Sequence, residues 1–230
     1  MKVLIIIPAY NEEENIVRVV DNLITNYPQY DYVVINDGSK DNTAKICRKH
    51  NYHLIDLPIN LGLAGAFQTG VKYGYEQGYD AVLQYDGDGQ HQAKYIDQMV
   101  QAMEEQKADI VIGSRFIEKK KPKSLRMLGA RILKYAIKFT TGQGIADPTS
   151  GMRLINKTTL KEFAYLMNYG PEPDTVSYLM RNGAKVVEVQ VEMSERIAGE
   201  SYLNLKNSVL YMTRMCVSIL LFQGFRKRGK

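Results

Sequence analysis

Apolar, β-branched runs alternate with helically periodic segments over the first half of this 230-residue chain. The runs are "KVLIII", "DYVVI", "YHLIDL", "DAVLQY" and "ADIVIG", and periodic segments at 12–25, 42–50, 64–77 and 93–106 separate them. Such alternation predicts an α/β fold: a mostly parallel sheet with helices on both faces. The strands are nearly continuously apolar, as strands covered on both sides must be. Beyond Arg115 the rhythm breaks into a basic amphipathic stretch ending at Thr141, a strand-like "GMRLIN", helices from Thr158 and Glu172, a strand "KVVEVQVEM" and a closing helix from Leu203. No linker composition interrupts the chain, so one domain with a C-terminal elaboration is expected. An apolar content of 45% without tandem repeats excludes a disordered chain or a solenoid.

Four strands empty at their C-terminal ends into polar loops: "PAYNEEE", "NDGSKDNT", "DGDGQH" and "GSRF". Ligands of open parallel sheets bind beyond the carboxyl ends of the strands, where the strand order reverses, so these loops are expected to line one pocket. In "DGDGQH", an extended backbone would turn Asp86 and Asp88 to the same side, and Gly87 and Gly89 would admit a phosphate to the backbone. Hard divalent cations are held by one or two carboxylates plus substrate phosphates, which implies Mg²⁺ or Mn²⁺ with a diphosphate; Gln90 can add an amide oxygen. Asp-Gly pairs also make turns for backbone reasons alone, but the position after a buried strand favours the cation.

The other loops carry two readings each. Asp37 in "NDGS" suits a base or ribose hydroxyl, or belongs to a turn whose Asp41 or Asn42 caps the next helix. Tyr10 offers an aromatic face and Asn11 and Glu12 polar contacts; alternatively Asn11 is a cap and the acids complement a helix dipole. The small residues of "NLGLAGAFQTG" suit close packing, and Arg115 is either a phosphate ligand or surface charge.

The net charge of +5 is uneven. It concentrates in "EKKKPKSLRMLGARILKYAIK" and "FRKRGK", which suggests an anionic partner on one side of the molecule. From Ser124 to Thr141, leucines and isoleucines interleave with Arg126, Arg131, Lys134 and Lys138, a pattern suited to a helix lying on a membrane interface; a core helix or a homo-oligomer contact is the alternative. A nucleic-acid partner is not expected, because the basic residues sit with Leu and Ile rather than with a spread of stacking aromatics. The N-terminal apolar run stops at a Pro and an acidic cluster, unlike a secretory signal. No apolar stretch approaches the ~20 residues of a membrane span. Cytoplasmic residence, peripheral on the inner face of the membrane, follows as the expectation. Cys47 and Cys216 lack metal-ligand spacing and are read as reduced, structural thiols.

Taken in order, "PAYNE", "NDGS", "NLG", "DGDGQH", "GSRF", "DPTSGMRL", "EVQV" and "RIAGES" resemble the family 2 glycosyltransferases of the GT-A fold, near the polyprenyl-phosphate sugar synthases. The resemblance runs from Lys2 to about Ser201. It implies a nucleoside-diphosphate sugar donor, inverting transfer and a divalent cation, Mg²⁺ or Mn²⁺. By the same resemblance Pro8, Ala9, Tyr10, Glu12 and Asp37 bind the nucleoside, Asp86, Asp88 and Gln90 hold the metal, and Arg115 and Arg196 contact phosphates with Ser201 close by. Residues 1–116 then form the donor half and 117–230 the acceptor half.

The attacking side divides the expectation. A polyprenyl phosphate acceptor is already anionic and needs orientation rather than a strong base. A glycan hydroxyl needs a carboxylate to take its proton, and Asp147, Glu172 and Asp174 are the candidates. Pro171, Pro173 and the neighbouring acids also suit a plain helix start. The reading is a transferase acting on polyprenyl phosphate in surface-glycan assembly, with hydroxyl transfer as the alternative and a non-catalytic nucleotide-sugar-binding module as a more distant one.

Overall fold

The computed structural model describes residues 1–118, 125–166, 170–194 and 205–223. Every expected strand forms: β1 (Val3–Ala9), β2 (Asp31–Asn36), β3 (Leu54–Asp56), β4 (Ala81–Gln84), β5 (Ile110–Ser114), β6 (Arg153–Asn156) and β7 (Val186–Gln190). The helices are α1 (Ile16–Asn26), α2 (Thr43–Lys49), α3 (Gly62–Glu76), α4 (Ile96–Gln106), α5 (Leu125–Thr141), α6 (Lys157–Lys161), α7 (Pro173–Arg181) and α8 (Leu205–Val217). Wider π turns extend α6 over Glu162–Leu166 and α8 over Ser218–Phe222.

The strands build one seven-stranded sheet in the order β3-β2-β1-β4-β6-β5-β7. Four pairings are parallel; β6 runs antiparallel to both β4 and β5. Because β2 and β3 extend one way from β1 while β4 lies on its other side, the order reverses between β1 and β4, and a crevice opens at their carboxyl ends.

Alternate residues of β1 feed two cores, as the two-residue period of a doubly covered strand dictates. Leu4 and Ile6 belong to the core that α3, α5, α7 and α8 line, whereas Val3, Ile5 and Ile7 belong to the core lined by α1, α2 and α4. Phe67 of α3 meets Phe163 edge to face at 5.2 Å between ring centres, a geometry worth about 0.5–1.5 kcal/mol beyond area burial. A Cβ at Gly70 or Gly74 would fall 2.9 Å from Ile6 Cγ2 or 2.5 Å from Val82 Cγ2. Small residues therefore let α3 lie directly on β1 and β4, which supports the packing interpretation of that stretch.

Candidate active site

The loops after β1 and β2 are stitched together at one end of the crevice. Asn11, in the left-handed region at φ 56°, accepts from the Lys40 N–H through its side chain at 2.8 Å. Its own N–H donates to Ser39 Oγ at 2.9 Å. Glu12 N–H donates to Thr43 Oγ1, and Glu12 Oε2 accepts from Asn15 Nδ2 at 2.8 Å. Asn11 is thus a link between loops rather than a helix cap, because α1 begins only at Ile16. The side-chain bond at the start of α2 comes from Asp41, whose Oδ1 accepts from the Thr43 N–H at 2.9 Å. Tyr10 leaves its ring exposed at the rim beside Pro8 and the buried Ala9.

Asp37 is buried, and its Oδ1 accepts from the Leu61 N–H at 2.7 Å. One of its oxygens therefore fixes the entry to α3, whatever the other binds. Gly38 follows at φ +63°, where a Cβ would lie 2.5 Å from the Ile59 carbonyl carbon, so both the backbone conformation and the space demand glycine.

The "DGDGQH" segment departs from the extended geometry anticipated for it. After β4 the chain turns at Gly87 and Asp88, with Gly89 at φ 75°. Turn and cation site are thus compatible readings of one segment, and the two acids have different surroundings. Asp86 is partly exposed; its Oδ1 accepts from Gln84 Nε2 at 3.2 Å, and its Oδ2 lies 3.5 Å from His91 Nε2. Asp88 is buried and closes the turn by accepting from the Gln90 N–H at 3.0 Å. His91 Nδ1 accepts from the Asp86 N–H, which leaves the proton of the neutral ring on Nε2. A Cβ on Gly87 would lie 3.1 Å from the Pro8 carbonyl oxygen, which sets the turn against the end of β1.

Among the described residues no group of three His, Cys, Asp or Glu side chains is arranged to hold a metal ion. Two carboxylates and an amide oxygen at a crevice mouth nonetheless fit a hard cation that takes its remaining ligands from substrate phosphates and water.

On the far side of β4, Arg115 follows β5 and grips Asp147 through two parallel bonds, Nε to Oδ2 at 2.6 Å and Nη2 to Oδ1 at 2.8 Å. Asp147 has no exposed surface and Thr149 Oγ1 donates to it as well. Glu172 accepts from Tyr211 of α8, whose hydroxyl pKa is raised, first by burial and then by the Glu172 charge. Asp174 is buried and accepts from Ser218 Oγ at 2.6 Å, while its main-chain carbonyl accepts from Gln223 Nε2. All three proposed bases are therefore engaged by protein donors. Arg196 and Ser201 lie outside the described residues, as do Lys119–Lys123, Ser124 and the basic tail.

Two arginines emerge that the sequence motifs did not single out. Arg18 of α1 covers the turn: a Cβ on Gly89 would fall 2.3 Å from its Nη2. Arg153 of β6 is buried, donates to the Ser150 and Pro148 carbonyls, and keeps Nη1 without a hydrogen bond among the described residues. Burial lowers its pKa against the field of Glu172, Asp147 and Asp86. An arginine in an otherwise apolar strand, "GMRLIN", was the available signal for Arg153; nothing local marks Arg18.

The family model of glycosyl transferase family 2 matches residues 4–163. An undecaprenyl-phosphate mannosyltransferase of Micrococcus luteus is 30% identical over 99% of both chains. A polyprenol monophosphomannose synthase of Mycolicibacterium smegmatis is 27% identical over 90% of this chain and 82% of its own. Among solved structures, glucosyl-3-phosphoglycerate synthase of Mycobacterium tuberculosis, in complex with Mn²⁺, UDP-glucose and phosphoglyceric acid, superposes with a TM-score of 0.74 at 16% identity, covering 98% of this chain and 81% of that one. With the ordered loop motifs, the crevice at the β1/β4 reversal and these full-length likenesses in agreement, the chain belongs to glycosyl transferase family 2 and is a glycosyltransferase of the GT-A fold.

Proposed function

We propose that this glycosyltransferase moves one sugar from a nucleoside-diphosphate donor onto polyprenyl phosphate, with inversion, at the cytoplasmic face of a membrane. The observation that carries the reading is the state of the acids on the attacking side. Asp147 is locked to Arg115, Glu172 is occupied by Tyr211, and Asp174 is buried against Ser218. A glycan hydroxyl would need one of them as proton acceptor, whereas a phosphate acceptor arrives ionised.

Pro8, Ala9, Tyr10, Glu12 and Asp37 surround the nucleoside in this reading. Asp86, Asp88 and Gln90 would hold Mg²⁺ or Mn²⁺, which when bound supplies Lewis-acid stabilisation of the diphosphate. Arg115 contributes positive charge toward the departing nucleoside diphosphate, and the same task is assigned to Arg196 and Ser201, which lie outside the described residues. In one displacement the acceptor phosphate oxygen bonds to the anomeric carbon as the bond from that carbon to the diphosphate oxygen breaks. A single displacement inverts the centre, and alignment within the crevice is the protein's main contribution.

The membrane surface as partner is supported by the outer faces of α5 and α8. Leu128, Ile132, Tyr135 and Phe139 form one exposed stripe of α5, with Phe139 84% exposed. Leu210, Val217, Leu220 and Leu221 are exposed along α8 and its π extension. Exposed Arg131, Lys138 and Arg214 accompany them, a composition suited to anionic lipid. Gly129 lets the two helices meet, since a Cβ there would fall 2.7 Å from Met212 Cγ. No helix among the described residues is long and apolar enough to cross a membrane. A second copy of the chain is the competing occupant of this surface.

The test is transfer by purified protein from a panel of UDP- and GDP-sugars with Mn²⁺, with and without undecaprenyl phosphate. The reading requires a lipid-linked sugar that disappears in Asp88→Ala. Nucleotide release that ignores the lipid, and transfer to a glycan instead, would sink it.

A further inference from the structure

β7 is one of the two edge strands of the sheet among the described residues, and its side chains at 188 and 190 fall on the same face at the end where the crevice lies. Each captures two consecutive main-chain N–H groups of a different loop. Glu188 takes the Ala146 N–H on Oε2 at 2.7 Å and the Asp147 N–H on Oε1 at 2.9 Å. Gln190 Oε1 takes the Ile117 and Glu118 N–H groups, both at 3.0 Å. Gln190 Nε2 then donates to the Arg115 carbonyl at 3.2 Å and to the Val191 carbonyl at 3.0 Å. A primary amide offers two acceptor sites and two protons, so Gln190 is saturated and its orientation is fixed by its partners.

These two loops have one feature in common. One carries Arg115 and the other Asp147, whose side chains pair across the gap. β7 therefore fixes the main chain on both sides of that ion pair, and strand register places Gln190 beside Ser114, the residue before Arg115. With Nε and Nη2 committed to Asp147 and Thr149, Arg115 Nη1 makes no hydrogen bond among the described residues. That edge of the guanidinium is what remains for a ligand anion.

We propose that Glu188 and Gln190 are positioning residues that hold the Arg115–Asp147 pair so that the remaining guanidinium edge meets a phosphate of the substrate. The inference rests on the phosphate role given to Arg115 above. It assigns the "EVQV" stretch a task that a β-strand pattern does not imply. A glutamine is required at 190 because the same side chain must accept from two N–H groups and donate to two carbonyls. A carboxylate can do only the first.

A double-mutant cycle tests it, read as kcat and KM for nucleoside-diphosphate release with the UDP- or GDP-sugar that turns over, Mn²⁺ and undecaprenyl phosphate. Misplacement of a binding group by about 1 Å costs up to about 100-fold in rate, so Gln190→Ala and Glu188→Ala are expected to lose about tenfold or more in kcat/KM. Gln190→Glu, which keeps the shape and the acceptor bonds, is expected to fail similarly. Arg115→Ala/Gln190→Ala should be no slower than Arg115→Ala, because residues acting as a unit are not additive. A merely structural Gln190 would lower the melting temperature and give losses that multiply, which would overturn the positioning role alone. Full activity in Gln190→Glu would do the same. Unchanged transfer in Arg115→Ala would instead remove the phosphate role of Arg115, and this inference with it.

Discussion

Gly151 precedes β6 and lies under the carboxylate of Asp86, and the substitution Gly151→Ala probes that acid without touching it. A Cβ at 151 would stand 2.7 Å from Asp86 Oδ2 and 3.3 Å from Oδ1, where ordinary contact begins at 3.4 Å. The carboxylate must therefore retreat by about 0.7 Å. Gly151 does not occupy the left-handed region, so alanine is not opposed by its backbone conformation. Asp86 is tethered by Gln84 and faces His91, so the shift moves the acid against its own supports. If a displacement of about 1 Å at a reacting centre costs up to about 100-fold, this one predicts a loss of about tenfold in transfer rate. The Mn²⁺ concentration for half-maximal rate should rise by a similar factor. Nucleoside-diphosphate release would be followed while Mn²⁺ is titrated, with direct Mn²⁺ binding in the presence of UDP or GDP as a second readout. Gly144→Ala is the control, since its Cβ would meet only Lys134 and Lys138 atoms at 3.5 Å or more. Should Gly151→Ala keep the parent rate and the parent Mn²⁺ dependence, Asp86 is not a ligand whose position matters, and the metal assignment fails.

Four further outcomes are expected. Glu172→Gln and Asp174→Asn should each lose less than about tenfold in transfer to undecaprenyl phosphate; a loss of about 100- to 10,000-fold, the range for a missing general base, would restore the hydroxyl mechanism. Phe139→Ser and Leu210→Ser should each weaken co-sedimentation with anionic vesicles about tenfold, the equivalent of roughly 1.5 kcal/mol per buried side chain, and unchanged sedimentation would point to a protein partner for that face. Phe67→Ala removes one ring of an edge-to-face pair in the core and should cost about 3–5 kcal/mol in denaturant unfolding, with much less than that contradicting the packing. Burial pushes the Cys47 thiol up to about 11, so the fraction of reactive thiolate stays small through neutral pH and rises only toward that value; thiol-specific reagents should leave native Cys47 unmodified at pH 8 and label it on unfolding.

The alternation of apolar runs with helical segments was enough to locate the first five strands and the helices between them, because burial on both faces of a sheet leaves a signature within each strand; "GMRLIN" and "KVVEVQVEM" marked the last two after that rhythm had broken. The ordered loop motifs likewise carried the family: Gly38 and Gly89 hold positive φ, a backbone demand that a sequence displays locally, whereas the space that Gly38 and Gly87 leave is taken by Ile59 and Pro8, distant in the chain. Pairing partners are a different matter. That β6 would run antiparallel between β4 and β5 depends on contacts between residues far apart in the chain, as in Gln84 opposite Arg153, and no periodicity within "GMRLIN" encodes it.

The same limit applies to the site. Asp147, Glu172 and Asp174 read alike as available acids, and only folding brought Arg115, Tyr211 and Ser218 against them. Helical spacing predicted an amphipathic α5, and the structure corrects that: its core stripe of Ala130, Leu133 and Ile137 and its exposed stripe of Leu128, Ile132 and Phe139 are both apolar. Which one faces the core was settled by where α7 and α8 pack. Local chemistry fixed what each segment can become; the long-range packing of the sheet and its helices decided which polar groups are spent on the protein itself and which are left for a ligand.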